Sequence, residues 1–265
     1  MLQSVKPHIN NGQSALEKAI ADLERTQDRL QQDYIYSRLL HWSTGVAANN
    51  GTNFDQKCLD KIRCLRSEYV FSIENEWARK ISSGAAKPSD LANFQYFRSY
   101  EEMVRSEYEY LSSICKKSLS KIIFVGSGPF PFSSFCLAKN FGVRVVNVDI
   151  DQEAIHTSQV LTRKYELEDK FDFICCDAKK LKIPNDADVV LVAALVGHHA
   201  DEKHQIINSL GNSIGRNQFL AARTALGLKQ LFYVGVDKSK VCHEYVGTSN
   251  VPNEVINSLM VFKRR

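Results

Sequence analysis

The sequence contains no hydrophobic run long enough to cross a lipid bilayer. Its longest uninterrupted apolar stretch, residues 189–197, has nine residues, whereas a membrane-spanning helix needs roughly 20. The N-terminal residues, MLQSVKPHINNGQ, also lack the apolar core of a signal peptide, because a proline, a histidine and asparagines occupy its place. These absences predict a cytoplasmic protein that does not interact with a membrane.

Paired cysteines and a strong charge excess are absent as well. The seven cysteines form no CxxC pair and follow no regular spacing, which is typical of reduced thiols. The net charge is only +4, with basic residues dispersed along the chain, so we expect no nucleic-acid partner. With 44% hydrophobic and 24% charged residues among 265, the composition is that of a globular protein with one large or two small domains.

The hydrophobic pattern before residue 118 is helical. Apolar residues recur at spacings of three and four, which predicts helices over residues 16–42, 54–81 and 94–117. We interpret residues 1–117 as a helical bundle. The first segment is one long helix or two joined helices, with one apolar stripe expected to be buried. That stripe consists of Leu16, Ile20, Leu23, Leu30, Tyr34 and Leu39.

After residue 118, short apolar or β-branched runs alternate with helical stretches. We expect strands at residues 122–125, 145–148, 171–176, 188–195, 218–224 and 255–262. Continuous apolar strands separated by helices predict a parallel sheet with right-handed crossovers. The predicted fold class is therefore α/β, with a Rossmann-like domain in residues 118–265 behind the N-terminal helical bundle.

A glycine-rich turn, Gly126-Ser127-Gly128-Pro129, follows the first predicted strand. Glycines at such a turn let the backbone approach a ligand, and the next helix offers free N–H groups. Asp149 ends the second predicted strand, 23 residues beyond the first glycine, where a carboxylate can accept hydrogen bonds from ribose hydroxyls. Pro131 replaces the third glycine of the usual pattern. The turn and Asp149 together predict an adenosyl-ligand site.

Two further strands should end at the same edge of the sheet, at Asp177 and near Ala194. Ligands of open α/β folds bind at this edge, so both residues are candidates for ligand contact. Asp177 either accepts a hydrogen bond from the adenine amino group or caps the helix that follows it. Asp151 is interpreted as a helix cap.

A metal site is the weaker interpretation of the histidines and cysteines in this half. His198, His199 and His204 could combine with Cys175 and Cys176. Adjacent histidines on one segment do not readily share a metal ion, so we predict no metal.

The string FVGSGPFPFSSFCLAKNFGVRVVNVDIDQEA resembles the nicotianamine synthases, in which a GSGP(L/F)P stretch precedes a DID segment. The resemblance covers about residues 65–240 and includes VVLVAALVGHHADEK. It also extends to the related synthases of staphylopine-type bacterial metallophores. It implies that S-adenosylmethionine donates its aminobutanoyl chain to an amino-acid acceptor, with 5'-methylthioadenosine as the second product, in the synthesis of a metallophore.

The same resemblance suggests which residues carry the chemistry. Glu74 in SIENEWARKI matches the acid of the family's AEGxLE stretch, and Tyr100 matches the last tyrosine of its FPYYxNY stretch. We expect Glu74 to take the acceptor's proton and Tyr100 to orient the amine or to help deprotonate it. Glu76 is the competing acid. The acceptor pocket is expected to differ from the family's at three positions: Gln95, Phe97 and Ser99.

Two more residues are candidates for substrate binding. Tyr96 belongs to an aromatic group that should pack the helices and contribute to the pocket wall. Arg223 could hold a substrate carboxylate through two parallel hydrogen bonds, or could pair with a structural acid.

Two other function classes share parts of this pattern. A methyltransferase would use the same S-adenosylmethionine site but would release S-adenosylhomocysteine. A non-catalytic nucleotide-binding protein would bind the adenosyl group without turnover, and it gives no reason for Glu74 and Tyr100 to accompany the glycine turn.

Overall fold

A computed structural model describes residues 12–44, 54–197, 199–249 and 256–265. Before the sheet come four helices: α1 Gly12–Arg25, α2 Arg29–Thr44, α3 Gln56–Ser82 and α4 Phe97–Cys115. The start of α3 is fixed by Asp55, whose side chain accepts hydrogen bonds from the backbone N–H groups of Lys57 and Cys58. A short 3-10 helix, Pro88–Asn93, lies between α3 and α4.

The buried stripe predicted for the first segment is wrong at two positions. Leu16, Ile20, Leu23 and Leu39 are buried, but Leu30 is 78% exposed and Tyr34 is 61% exposed. The segment is two helices separated by residues 26–28. Because residues 26–28 are not helical, the helical phase of α1 does not continue into α2.

Seven strands form one sheet in the order β3-β2-β1-β4-β5-β7-β6. The first five are parallel to one another, and β7 is antiparallel to both of its neighbours. Three helices, α5 Phe132–Phe141, α6 Gln152–Lys164 and α7 Ala200–Ser213, connect the parallel strands. The strands are β1 Lys121–Val125, β2 Arg144–Asp149, β3 Phe171–Cys175, β4 Val189–Val192, β5 Phe219–Thr224, β6 Glu244–Thr248 and β7 Ser258–Lys263.

This arrangement confirms the predicted α/β, Rossmann-like fold class. The six expected strands are present with small shifts at their ends, although residue 255 of the last one lies outside the described residues. The sequence analysis missed β6, an edge strand whose residues are mostly exposed. Within the described part of the chain, no helix is both long and apolar enough to span a membrane.

Alternate residues of the strands face two different hydrophobic clusters. One cluster, which includes Val125, Val190 and Phe262, packs under α7. The other includes Leu191 and Val261 of the sheet together with residues of α1, α3 and α4. The second cluster crosses residue 118 without interruption, so the helical region and the sheet share one core. The division into domains 1–117 and 118–265 stays a prediction.

Candidate active site

A cavity of about 650 Å³ lies between the helices α3 and α4 and the carboxyl ends of β1, β2 and β4. Its volume falls within the range of small-molecule sites. Three large apolar side chains of its lining are exposed: Phe71 at 47%, Ile150 at 73% and Leu195 at 40%. We refer to these three as the rim. All ten residues predicted from the sequence line this cavity: Glu74, Tyr96, Tyr100, Gly126, Ser127, Gly128, Asp149, Asp177, Ala194 and Arg223.

The two positions of the turn, Gly126 and Gly128, are glycines for different structural reasons. Both have positive φ, +81° at Gly126 and +66° at Gly128, which disfavours other residues. A Cβ on Gly126 would lie 2.2 Å from Cγ2 of Val196, so packing alone requires a glycine there. A Cβ on Gly128 would meet only Oε2 of Glu74, at 3.9 Å. The space over Gly128 is therefore open toward Glu74.

Asp149 fastens the turn to the end of β2. Its Oδ2 accepts a hydrogen bond from the backbone N–H of Gly128 at 2.8 Å, and its Oδ1 accepts one from Asp151 at 3.0 Å. A carboxylate oxygen has two acceptor positions. Each oxygen of Asp149 can therefore accept a ribose hydroxyl in addition to its backbone partner.

The other strand ends complete the sheet side of the cavity. Asp177 accepts the backbone N–H of Lys179 at 2.9 Å and so caps the short 3-10 helix that follows. It also lines the cavity, so both interpretations of this residue are open in the structure. The hydroxyl of Ser127 is buried and has no hydrogen-bond partner in the described part of the chain. Asp151 caps α6 by accepting the N–H of Glu153, as predicted.

Glu74 and Tyr100 meet on the opposite side of the cavity. The Tyr100 hydroxyl donates to Oε1 of Glu74 at 2.7 Å. Burial raises the pKa of Glu74 to about 7, although the Tyr100 hydrogen bond and the charges of Arg223 and Arg66 oppose the rise. Burial, followed by the charge of Glu74, raises the pKa of Tyr100 well above its usual value. At neutral pH the pair thus offers a carboxylate that can accept a proton and a hydroxyl that keeps its own.

The competing acid has a different environment. Glu76 lies two residues beyond Glu74, which turns it about 200° around the helix, and it forms ion pairs with Arg29 and with Lys80. The Lys80 hydrogen bond lowers the pKa of Glu76. Glu76 does not line the cavity, so the structure favours Glu74.

An aromatic cluster holds this side of the cavity in place. Phe94 is 2% exposed, and its ring packs against those of Trp77, Tyr96 and Tyr100 with centroid separations of 5.9, 5.8 and 6.0 Å. Such edge-to-face and tilted contacts restrict ring orientation. The cluster therefore fixes the start of α4, from which both tyrosines reach the cavity.

Arg223 forms a buried ion pair with Glu107. Its Nε donates to Oε1 at 2.8 Å and its Nη2 donates to Oε2 at 2.9 Å, while Nη2 also bonds the hydroxyl of Ser133 at 3.0 Å. The sequence left two alternatives for Arg223, and the structure shows the pairing with a structural acid. It ties α4 to β5, and it leaves fewer donors of Arg223 for a substrate carboxylate.

Sequence reasoning missed two buried cations near the cavity. Lys203 on α7 is fully buried and donates to the backbone oxygen of Ala194 at 2.8 Å, and burial lowers its pKa to about 7. Arg66 on α3 is 7% exposed and lines the cavity. Nothing in the local sequence distinguishes either residue from a helical lysine or arginine that faces solvent.

Those histidines of the alternative metal site that the structure describes do not converge on one point. His204 accepts the backbone N–H of Asp237 through Nε2 at 2.9 Å, and His198 lies outside the described residues. Among the residues that the structure does describe, no group of three or more His, Cys, Asp and Glu side chains is arranged to hold a metal ion.

Comparison with known proteins identifies the family. The family model described as "Nicotianamine synthase protein" matches residues 11–265. The chain belongs to the nicotianamine synthase family. Members of this family are S-adenosylmethionine-dependent enzymes.

Individual nicotianamine synthases are similar over most of the chain. Nicotianamine synthase 2 of Arabidopsis thaliana is 26% identical over 262 residues, covering 94% of this chain and 81% of the relative. The Solanum lycopersicum enzyme is 27% identical with the same coverage. Nicotianamine synthase 1 of Oryza sativa subsp. indica is 32% identical over 204 residues, which cover 72% of this chain and 60% of the relative.

Solved structures show the same fold in a nicotianamine synthase. A glutamate-to-glutamine variant of MtNAS in complex with S-adenosylmethionine superposes with a TM-score of 0.77 at 18% identity, covering 95% of this chain and 98% of that one. MtNAS in complex with MTA and tNA gives a TM-score of 0.77 at 17% identity, with coverage of 95% and 97%.

Proposed function

We propose that this nicotianamine synthase family member transfers the aminobutanoyl group of S-adenosylmethionine to the amine of an amino-acid acceptor. The observation that carries the proposal is the position of the Glu74–Tyr100 pair, which faces the open space over Gly128 inside one cavity. The glycine turn offers a place for the adenosyl donor, and the helical side offers a proton acceptor. A purely binding site would need the first arrangement but not the second.

The proposed donor site is the sheet side of the cavity. Asp149 would accept hydrogen bonds from the ribose hydroxyls. The turn formed by Gly126, Ser127 and Gly128 would let the donor approach the protein backbone closely. Asp177 and Ala194 would border the adenine. MtNAS, which has the same fold, has been crystallised in complex with S-adenosylmethionine, and the family membership supports the same donor here.

The proposed reaction is a substitution at the γ-carbon of the donor. The acceptor nitrogen forms a bond to this carbon, the bond from the carbon to the sulfonium breaks, and the electron pair leaves with sulfur as neutral 5'-methylthioadenosine. Glu74 takes the proton that the nitrogen must lose, and Tyr100 holds the carboxylate in place. An amine is mostly protonated at neutral pH, so a carboxylate with a pKa of about 7 is a better proton acceptor than an ordinary one.

The product would be a metal-chelating compound. Each transferred aminobutanoyl group adds a carboxylate and an amine nitrogen, and such nitrogen and oxygen ligands bind divalent transition metals. We therefore propose a nicotianamine-type metallophore as the product and the cytoplasm as its place of synthesis. The seven free cysteines agree with a reducing compartment.

Product chromatography tests the reaction class. Purified protein is incubated with S-adenosylmethionine alone, with added L-histidine and with added L-glutamate, and the adenosyl product is identified. We expect 5'-methylthioadenosine in at least one mixture. S-Adenosylhomocysteine would show methyl transfer instead, and absence of both products would favour a binding protein.

A further inference from the structure

Arg66 is a buried cation whose partners in the protein are aromatic. Its guanidinium lies over three tyrosine rings, at 4.9 Å from the centroid of Tyr36 and at 5.5 Å from those of Tyr69 and Tyr96. It also donates a hydrogen bond to the hydroxyl of Tyr96 at 3.3 Å. Among the described residues, no carboxylate forms an ion pair with Arg66.

A buried guanidinium normally lies beside an acid, because burial of an uncompensated charge is costly. Arg223 in the same cavity follows this rule, since Glu107 holds it through two hydrogen bonds. Arg66 departs from it, and its Nε is buried without a hydrogen-bond partner among the residues that the structure describes. The aromatic faces stabilise its charge in part, but they leave a hydrogen-bonding position of the guanidinium unused.

Arg66 lies on the face of α3 that carries Glu74. Arg66, Val70 and Glu74 follow one another at four-residue spacing and all line the cavity, so the two charged residues are about 12 Å apart along the helix axis. The hydroxyls that they bond belong to Tyr96 and Tyr100, one turn apart at the start of α4. Arg66 and the proposed base are therefore parts of one wall, opposite the glycine turn.

We propose that Arg66 binds a carboxylate of the acceptor, so that the acceptor's amine lies at Glu74. This inference rests on the proposed function, because an amino-acid acceptor brings a carboxylate and an amine together. A carboxylate fits the planar donor fork of a guanidinium and supplies the charge that the tyrosines do not. The arrangement selects amino acids over simple amines.

Binding calorimetry with matched ligands tests the proposal without requiring turnover. The protein is first saturated with 5'-methylthioadenosine, which cannot donate an aminobutanoyl group. Three ligand pairs are then titrated: L-histidine and histamine, L-glutamate and 4-aminobutyrate, S-adenosylmethionine and its decarboxylated form. Each second member lacks only the α-carboxylate of the first. Because charge-assisted hydrogen bonds are strong, we expect at least one ligand with an α-carboxylate to bind about 10- to 100-fold more tightly than its partner.

Variants of α3 assign this preference to one side chain. Arg66→Met should abolish the preference, and Arg66→Lys should keep part of it because the charge remains. Arg79→Met removes a positive charge from an exposed position of the same helix and should leave the preference unchanged. Thermal unfolding of each variant shows whether the Arg66 substitutions alter the fold as well.

Three outcomes would overturn the proposal. The first is a wild-type protein that binds both members of every pair equally, and the second is an Arg66→Met variant, folded as the wild type is, that keeps the preference. The third is an Arg66→Met variant that, without 5'-methylthioadenosine, no longer discriminates S-adenosylmethionine from its decarboxylated form, which would assign Arg66 to the donor. Failure of the proposed reaction is a separate result, because it concerns the product and not these affinities.

Discussion

The two sides of the cavity are built in different ways. The sheet side consists of backbone turns, glycines and a carboxylate whose oxygens accept backbone N–H groups, as at Asp149. The helical side consists of buried and half-buried ionisable side chains, of which Glu74 has a pKa raised to about 7. Backbone geometry suits recognition of a ligand, whereas a perturbed ionisable group suits proton transfer. We therefore expect substitutions on the sheet side to change donor affinity and substitutions on the helical side to change rate.

The largest expected effect is that of Glu74→Gln on turnover. The amide keeps the size of the side chain and can still accept the Tyr100 hydroxyl, but it cannot take a proton. Turnover measured as 5'-methylthioadenosine release at saturating substrate should fall by roughly 10²–10⁴, while donor affinity stays within about two-fold of the wild type. Higher pH should restore part of the rate, because the acceptor amine then loses its proton to solvent.

A matched substitution on the same helix serves as the control. Glu76→Gln removes an equivalent carboxylate that pairs with Lys80 outside the cavity, and surface ion pairs contribute little to stability. Its turnover should equal that of the wild type. If Glu76→Gln lost the activity and Glu74→Gln kept it, the assignment of the base would be reversed.

The next effect is on stability and follows from the sign of the Glu74 pKa shift. Folding raises this pKa from 4.5 to about 7, so the folded protein binds the proton more tightly than the unfolded chain does. Below pH 4.5 the Glu74 carboxyl group is protonated in both states, so its burial does not lower the free energy of unfolding. Between pH 4.5 and 7 the free energy of unfolding falls, by about 3 kcal/mol in total.

Urea unfolding at several pH values measures this cost. The Glu74→Gln variant should be more stable than the wild type at pH 8 by up to that amount and equally stable at pH 4.5. A stability difference independent of pH would mean that the carboxyl group is not buried as the structure shows.

The smallest of the three effects is on donor binding at the sheet side. Asp149→Ala would leave ribose hydroxyls and the N–H of Gly128 without an acceptor, at a cost of about 1–3 kcal/mol. Calorimetry with S-adenosylmethionine should show this loss. Asp172→Ala removes an exposed carboxylate paired with Arg144 on the sheet, and it should leave the affinity for S-adenosylmethionine unchanged. An equal loss of affinity in both variants would contradict the assignment of Asp149.

The sheet side could be predicted from the sequence because position in a strand determines it. Residues that end parallel strands meet at one edge, so Gly128 and Asp149 could be placed together without a structure. Strand β6 was missed because it is an exposed edge with no continuous apolar run. The false stripe through Leu30 arose because residues 26–28 gave no strong sign of a helix break.

The helical side could not be derived in the same way. Glu74 and Tyr100 are candidates only through resemblance to a family, since a glutamate on a helix usually faces solvent. Arg66 and Lys203 were not found because their burial depends on helices and strands that are distant in sequence. Tertiary packing, not local pattern, determines which charged residues of a helix lie inside.

The core shared by the helical region and the sheet determines how substrates reach the cavity. Residues from α1, α3, α4 and the sheet belong to one hydrophobic cluster, so the helices cannot swing away from the sheet as a separate lid. Exposing even about 400 Å² of apolar surface would cost about 10 kcal/mol, comparable to the whole stability of a typical domain. We therefore expect entry and release past the rim of Phe71, Ile150 and Leu195, whose exposed apolar surfaces a departing thioether nucleoside would cross.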